Sequence, residues 1–181
     1  MRIVLLGPPG CGKGTQGTEL AARLAVPYLS SGEVLRAEAE AGTELGREIV
    51  PYLERGELVP EDLTHRALHR ALADARAAGG YVLDGYPRTV DQARTLDDGV
   101  IAVLLDLPDA VARARIAGRA EGRADDTDRG VIDRRLWVYH AQTAPLLDVF
   151  RTRGTLVTVD ADQPRDAVAA AIDAALAGRR R

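Results

Sequence analysis

Lysine is all but missing from this 181-residue chain: of its 24 basic residues one is a lysine, Lys13, and the rest are arginines. Cysteine occurs once, at Cys11. A single cysteine excludes an intrachain disulfide and any four-cysteine zinc site. His65 and His69 stand one helical turn apart, a spacing that suits a metal ion. With no third ligand at fixed spacing they read as two solvated residues on a charged helix, and no zinc is expected. No apolar run reaches the length of a membrane span, and the N-terminus enters a strand-like segment without a signal-peptide pattern. A soluble, cytoplasmic protein is expected. The net charge of −3 provides no general attraction to nucleic acid or to an anionic membrane, and neither is expected as a partner. Repeats and low-complexity linkers are also absent. With 46% hydrophobic and 28% charged residues, the length accommodates one α/β core with insertions rather than two ordinary domains.

What is present gathers around the lone lysine. It lies in Gly7-Pro-Pro-Gly10-Cys11-Gly12-Lys13-Gly14-Thr15-Gln16, directly after the apolar run 3–6. An arginine-rich composition that keeps one lysine here points to a need for a compact, mobile ammonium, which the planar guanidinium does not supply. Between a strand and a helix, Gly-x-x-x-x-Gly-Lys lets successive backbone N–H groups converge on phosphate oxygens, because glycine tolerates positive φ and has no Cβ in the ligand's way. The following helix then points its positive end at the same anion. A nucleotide phosphate is the expected ligand. Gly14 stands where a hydroxyl residue usually follows the lysine, so direct Mg²⁺ ligation by this loop is not expected. Cys11, inside the loop, reads either as a small filler or as a thiol made redox-sensitive by the N–H dipoles and Lys13; the filler reading is the simpler.

Strand-like runs recur at 3–6, 28–29, 81–83, 100–105 and 155–159, separated by helical pattern at 14–24, 32–40, 44–54, 60–77, 90–97, 108–118, 128–150 and 164–177. Pro60, Pro108 and Pro164 are expected in first helical turns. The alternation predicts a doubly wound α/β fold, with helices on both faces of a five-stranded, mostly parallel sheet. More helix lies between 31 and 59 than one crossover needs, and this stretch reads as a mobile insertion over the cleft. The segment 119–126, anchored by Gly118 and Gly122, reads as a second, short flap. Arg179, Arg180 and Arg181 read as a frayed, solubilising tail.

Further chemistry is carried by four segments. Tyr81-Val-Leu-Asp84-Gly85-Tyr86-Pro87-Arg88 puts a carboxylate at the end of a buried strand, then a turn and an arginine; Asp84 suits the metal side and Arg88 a phosphate. Ser31-Gly32-Glu33-Val34-Leu35-Arg36 opens a helix with a hydroxyl cap and ends with an arginine one turn later, while Gly56-Glu57-Leu58-Val59-Pro60 makes an exposed apolar bend. Arg115, Arg119, Arg123 and Arg135 crowd the second flap and the helix after it.

In this order the segments resemble the adenylate kinases: Gly-x-Pro-Gly-x-Gly-Lys-Gly-Thr-Gln, Ser/Thr-Gly-Asp/Glu-x-Leu-Arg, Gly-x-Leu-Val-Pro, Leu-Asp-Gly-Tyr/Phe-Pro-Arg-Thr-x-x-Gln-Ala, Arg-x-x-Gly-Arg and Arg-x-Asp-Asp, from Ile3 to about Pro164. The resemblance implies a P-loop three-layer sandwich, with core 1–30, 60–118 and 127–181, a nucleoside-monophosphate insertion at 31–59 and a lid at 119–126. It also implies reversible transfer of a phosphoryl group from MgATP to AMP, giving two ADP, by a monomer that serves adenine nucleotide homeostasis. By that likeness Gly10, Cys11, Gly12, Lys13, Gly14 and Thr15 cradle the ATP phosphates, Arg115 lies on the ATP side, Arg119 stacks near the adenine, and Gln163 offers it a backbone carbonyl. AMP falls to Ser31, Gly32, Arg36, the backbone of Glu57, Leu58 and Val59, to Gly85, Tyr86, Pro87 and Arg88, and to the Gln92 amide. Lys13, Arg88, Arg119, Arg123, Arg135 and Asp84 would be catalytic, Asp84 holding Mg²⁺ through water and Arg123 and Arg135 embracing the phosphoryl group.

Arginines suit such a site because they remain charged in a closed, water-poor cleft and bind phosphate bidentately, and a loose transition state asks mainly for positioning and charge. Two departures stand out. The lid is the short form, a loop, for which weaker water exclusion or faster opening is expected. Near 128–131 the chain is one residue longer than the family pattern, so Arg134 and Arg135 compete for one phosphate position; spacing to Tyr139 favours Arg135. The nearest rival is a uridylate-cytidylate kinase, against which the Ser31 hydroxyl and Gln92 speak. A nucleotide sensor without turnover would lack a catalytic cation or the metal carboxylate, and none is missing. A kinase of another small metabolite leaves the segment 56–59 and Gln92 unexplained.

Overall fold

A computed structural model describes residues 1–55, 59–118 and 129–179. Its centre is a parallel sheet of β1 (Arg2–Leu6), β2 (Tyr28–Ser30), β3 (Tyr81–Asp84), β4 (Ile101–Asp106) and β5 (Leu156–Asp160), in the order β2-β3-β1-β4-β5. Around it lie α1 (Lys13–Leu24), α2 (Ser31–Glu40), α3 (Glu44–Glu54), α4 (Glu61–Ala77), α5 (Val90–Thr95), α6 (Asp109–Ala117), α7 (Arg129–Val138), α8 (Leu146–Thr152) and α9 (Arg165–Ala177). The expected five parallel strands and the doubly wound α/β class are present.

Alternation along the central strands explains the layers. Ile3 and Leu5 of β1 join one core with α1, α6, α7 and α9, while Val4 and Leu6 join the other with α4, α5 and α8. All four side chains are buried, as a strand covered on both faces requires. β1 departs toward β2 on one side and β4 toward β5 on the other, so a crevice opens at their carboxyl ends, the usual ligand position in such sheets. A third, smaller cluster holds α2 and α3: Leu35 and Ile49 pack on Leu63 and Ala67 of α4, separate from both sheet cores.

Three local expectations change. Pro60, Pro108 and Pro164 are N-caps rather than first-turn residues, with ψ between 139° and 151°, and their carbonyls accept from Thr64, Ala112 and Val168. Proline fixes φ alone, and φ is shared by both positions; ψ decides. The cap of α2 is Ser30, whose hydroxyl accepts from the Glu33 N–H, which leaves Ser31 inside the helix and buried. The single helix expected over 128–150 is α7, a π turn at Tyr139–Thr143 and α8. Pro145 has no N–H to continue the ladder, and the Ala144 N–H reaches Tyr139 O instead, five residues back. No described helix is long and apolar enough to cross a membrane.

Candidate active site

The loop between β1 and α1 is shaped by glycine. Gly7, Gly10 and Gly12 have φ of 143°, 86° and 93°. A Cβ at Gly7 would lie 2.5 Å from Leu105 O of β4, and one at Gly10 would lie 2.9 Å from Ala112 O of α6. Both neighbours are main chain, so the loop packs against them only without side chains. Gly12 caps α1 with no side-chain hydrogen bond to the first-turn N–H groups, and no acidic residue occupies that turn. Those donors are left to an external anion. Lys13 Nζ donates to Gly7 O at 2.8 Å and Pro8 O at 3.0 Å and lies 3.5 Å from the buried Cys11 Sγ, so the ammonium is folded across the loop.

Next to β1, strand β3 brings up the second group. Leu5 pairs with Asp84, and Ser30 of β2 pairs with Asp84 from the other side. Gly85, at φ 78°, follows at once. A Cβ there would lie 2.4 Å from Ser31 Oγ and 3.6 Å from a terminal nitrogen of Arg88, so the glycine sits between hydroxyl and guanidinium. A Cβ at Gly32 would approach the Arg36 guanidinium to 3.3 Å, which puts that arginine back over the start of its own helix. Arg88 Nε donates to Gly85 O at 2.8 Å, while its backbone N–H donates to Gln92 Oε1 at 2.7 Å. The buried Gln92 thereby holds the arginine's main chain, and its Nε2 has no protein acceptor among the described residues. Tyr86 and Pro87 are buried beneath this turn, and Val59 contributes its side chain to the α2–α3 cluster. Glu57, Leu58, Arg119 and Arg123 lie outside the described residues, as do Arg180 and Arg181.

Asp84 itself is half-buried and accepts from Tyr28 Oη at 3.2 Å through Oδ2. The tyrosine's pKa is raised, by burial first and by the Asp84 charge second. No other protein hydrogen bond reaches this carboxylate among the described residues, and nowhere among them do three metal-ligating side chains gather. A lone carboxylate with an uncommitted oxygen fits a Mg²⁺ that keeps its waters and arrives on a nucleotide, rather than an ion caged by protein.

On the far side of the loop, β5 ends in a turn organised by Asp160. Its two oxygens accept from the Asp162 N–H at 2.8 Å and from Gln163 Nε2 at 2.9 Å, and these bonds, the Gln163 one first, lower its pKa. Arg115 of α6 donates to Ala161 O at 2.9 Å, so the predicted ATP-side arginine braces the turn that carries Gln163. Gln16 of α1, buried, donates to Arg165 O at 2.9 Å and ties the same turn to the phosphate helix. On α7, Arg135 is half-buried on the face of Ile132, Leu136 and Tyr139, whereas Arg134 is exposed. Tyr139 stands in the π turn with its pKa pushed up to about 12, chiefly by burial, with Cys11 and Asp106 adding to it. His140 Nε2 meets both Asp109 oxygens, at 3.0 and 3.1 Å, and fastens that turn to α6. Sequence reasoning gave no role to these four: Gln16, Tyr28 and His140 act on partners distant in sequence, and Asp160 organises its turn locally without belonging to any quoted motif.

A loop of this shape beside a hydroxyl, two arginines and a carboxylate is one that many nucleotide kinases could share, and relatives narrow the choice. The family model described as adenylate kinase matches residues 5–155. The chain belongs to the adenylate kinase family. Family membership brings the family reaction, phosphoryl transfer from ATP to AMP, and the class of nucleoside monophosphate kinase. The chain is 45% identical to the adenylate kinase of Stenotrophomonas maltophilia over 98% of its own length and 100% of the relative's. To the adenylate kinase of Mycobacterium tuberculosis it is 47% identical, and to that of Thermobifida fusca 40%, each over 93% of this chain and 94% of the relative.

Proposed function

We propose that the crevice at the carboxyl ends of β1 and its neighbours β3 and β4 is a two-nucleotide site in which ATP lies on the loop side and AMP on the Ser31 side. The observation that carries this is the register Leu5 to Asp84, which sets the glycine loop with Lys13 directly beside the Ser31, Gly85 and Arg88 cluster. Phosphate groups entering from the two sides meet between them. The loop N–H groups and Lys13 hold the ATP β- and γ-phosphates, and Lys13 exchanges its bonds to Gly7 and Pro8 for phosphate oxygens. Arg36 and Arg88 hold the AMP phosphate. The Ser31 hydroxyl and the free Gln92 Nε2 serve the adenine, the latter as a donor to a ring nitrogen. Arg135, with Arg119 and Arg123, neutralises charge on the group in flight, and Asp84 holds a water of the nucleotide's Mg²⁺. Mg²⁺ supplies charge neutralisation on the phosphates when bound. An AMP phosphate is already an anionic nucleophile, so no general base is required.

The 31–59 segment, with its own small cluster, serves as the acceptor-side insertion, and 119–126 as the short lid. The protein works as a cytoplasmic monomer in adenine nucleotide homeostasis. The test is ADP formation from MgATP with AMP, CMP, UMP, dTMP and GMP offered separately, beside a control without acceptor. Turnover with AMP alone, dependent on Mg²⁺, is expected. Preference for CMP or UMP would overturn the roles of Ser31 and Gln92, and no transfer to any acceptor would overturn the two-site reading.

A further inference from the structure

Tyr28 stands in no recognised motif, yet α1 is built around it. A Cβ at Gly17 would lie 2.6 Å from Tyr28 Cε2 and 2.8 Å from Leu5 Cδ1, so this interior glycine, an expensive choice in a helix, is what lets the ring lie under the phosphate helix. One turn nearer the loop, a Cβ at Gly14 would be 3.8 Å from the tyrosine hydroxyl. From there the hydroxyl donates to Asp84 Oδ2 at 3.2 Å. The bond is not needed to join the strands, since the β2–β3 ladder already pairs Tyr28 with Val82 and Ser30 with Asp84. What it adds is a donor on one carboxylate oxygen and a choice of which oxygen remains open.

We infer that Tyr28 is a positioning residue for the metal: its hydroxyl occupies Oδ2 of Asp84, fixes the carboxylate plane, and leaves Oδ1 to accept from a water of the nucleotide-bound Mg²⁺. The inference rests on the reading of Asp84 given above. Outer partners of this kind set ligand orientation and so metal affinity, without touching the metal.

The experiment compares Tyr28→Phe, Asp84→Asn and the double variant, in the full chain. Phe keeps the ring on Gly17 and removes only the donor, so the melting temperature stays within a few degrees of wild type. With enzyme in excess over ATP and no acceptor, free Mn²⁺ is followed by its electron paramagnetic resonance signal, which reads metal affinity without turnover. Tyr28→Phe is expected to raise the Mn²⁺ dissociation constant of the enzyme–ATP complex by roughly three- to tenfold. In turnover it raises the half-saturating Mg²⁺ concentration while the AMP KM is unchanged. Asp84→Asn raises the same dissociation constant at least as much, and the double variant goes no further than Asp84→Asn alone. If Tyr28→Phe binds Mn²⁺ like wild type while Asp84→Asn does not, the Tyr28 role is wrong and the Asp84 reading survives. If Asp84→Asn is also silent, the metal role of Asp84 fails and that of Tyr28 falls with it. Additive losses in the double variant would overturn action through Asp84.

Discussion

At the end of β1 the proposed binding surface is backbone: Gly7, Gly10 and Gly12 have positive φ, and Gly7 and Gly10 pack against the main-chain oxygens of Leu105 and Ala112. At the end of β3, one strand away, the proposed surface is made of side chains: Ser31 from α2 and Arg88 from the turn lie around Gly85, and Gln92 from α5 holds the Arg88 main chain. On the proposed reading the donor side therefore depends little on side chains other than Lys13, and leaves no room for a Cβ at Gly7 or Gly10. The acceptor side is the reverse, and its specificity is open to single substitutions. A backbone cradle suits phosphates, which every nucleotide shares; side chains suit the base and the acceptor, which differ between kinases.

Four experiments sharpen that contrast. Lys13→Met removes the ammonium from the cradle and is expected to cut kcat about a thousandfold with an unchanged melting profile; turnover within a few fold of wild type would contradict the role. Arg88→Ala is expected to raise the AMP KM and lower kcat together, for a combined loss of about a hundredfold, while the affinity for MgATP measured alone is kept. Gly10→Ala combines strained φ with a Cβ 2.9 Å from Ala112 O, whereas a Cβ at Gly12 meets nothing within 4 Å. Denaturant titration should show losses of about 2–4 kcal/mol for the first and about 1 kcal/mol for the second. The smallest effect is alkaline. Tyr28, Tyr81, Tyr86 and Tyr139 all have pKa values raised, mainly by burial. The unfolded chain loses these protons first, near the ordinary value of about 10, so stability present below that pH declines as pH rises toward about 12, the raised value of Tyr139. Tyr139→Phe should reduce the slope of that decline; an identical slope would show that the phenol does not contribute.

Much of this is legible in the amino-acid sequence itself. Continuous apolar runs such as Ile3 to Leu6 mark strands covered on both faces, and the glycines with Lys13 mark the loop, because both patterns are local. That Ser31, Gly85, Arg88 and Gln92 belong to one group was expected from the resemblance to a family, and the fold brings them together. Long-range polar choices are not legible. Gln16 finds Arg165 across 149 residues and Tyr28 finds Asp84 across 56, and no local periodicity encodes either meeting. The proline caps and the π turn failed for a different reason: proline dictates its own φ and its missing N–H, and leaves ψ and the repair of the helix to its surroundings.

The claim that two nucleotide sites open side by side is tested most directly with ADP as the sole substrate. Purified protein, ADP and Mg²⁺ are incubated, and all three nucleotides are quantified with time. Two ADP bound at once on the loop side and the Ser31 side must yield ATP and AMP in equal amounts, and that is the expected result. ADP left unchanged, or AMP accumulating without ATP, would contradict the account.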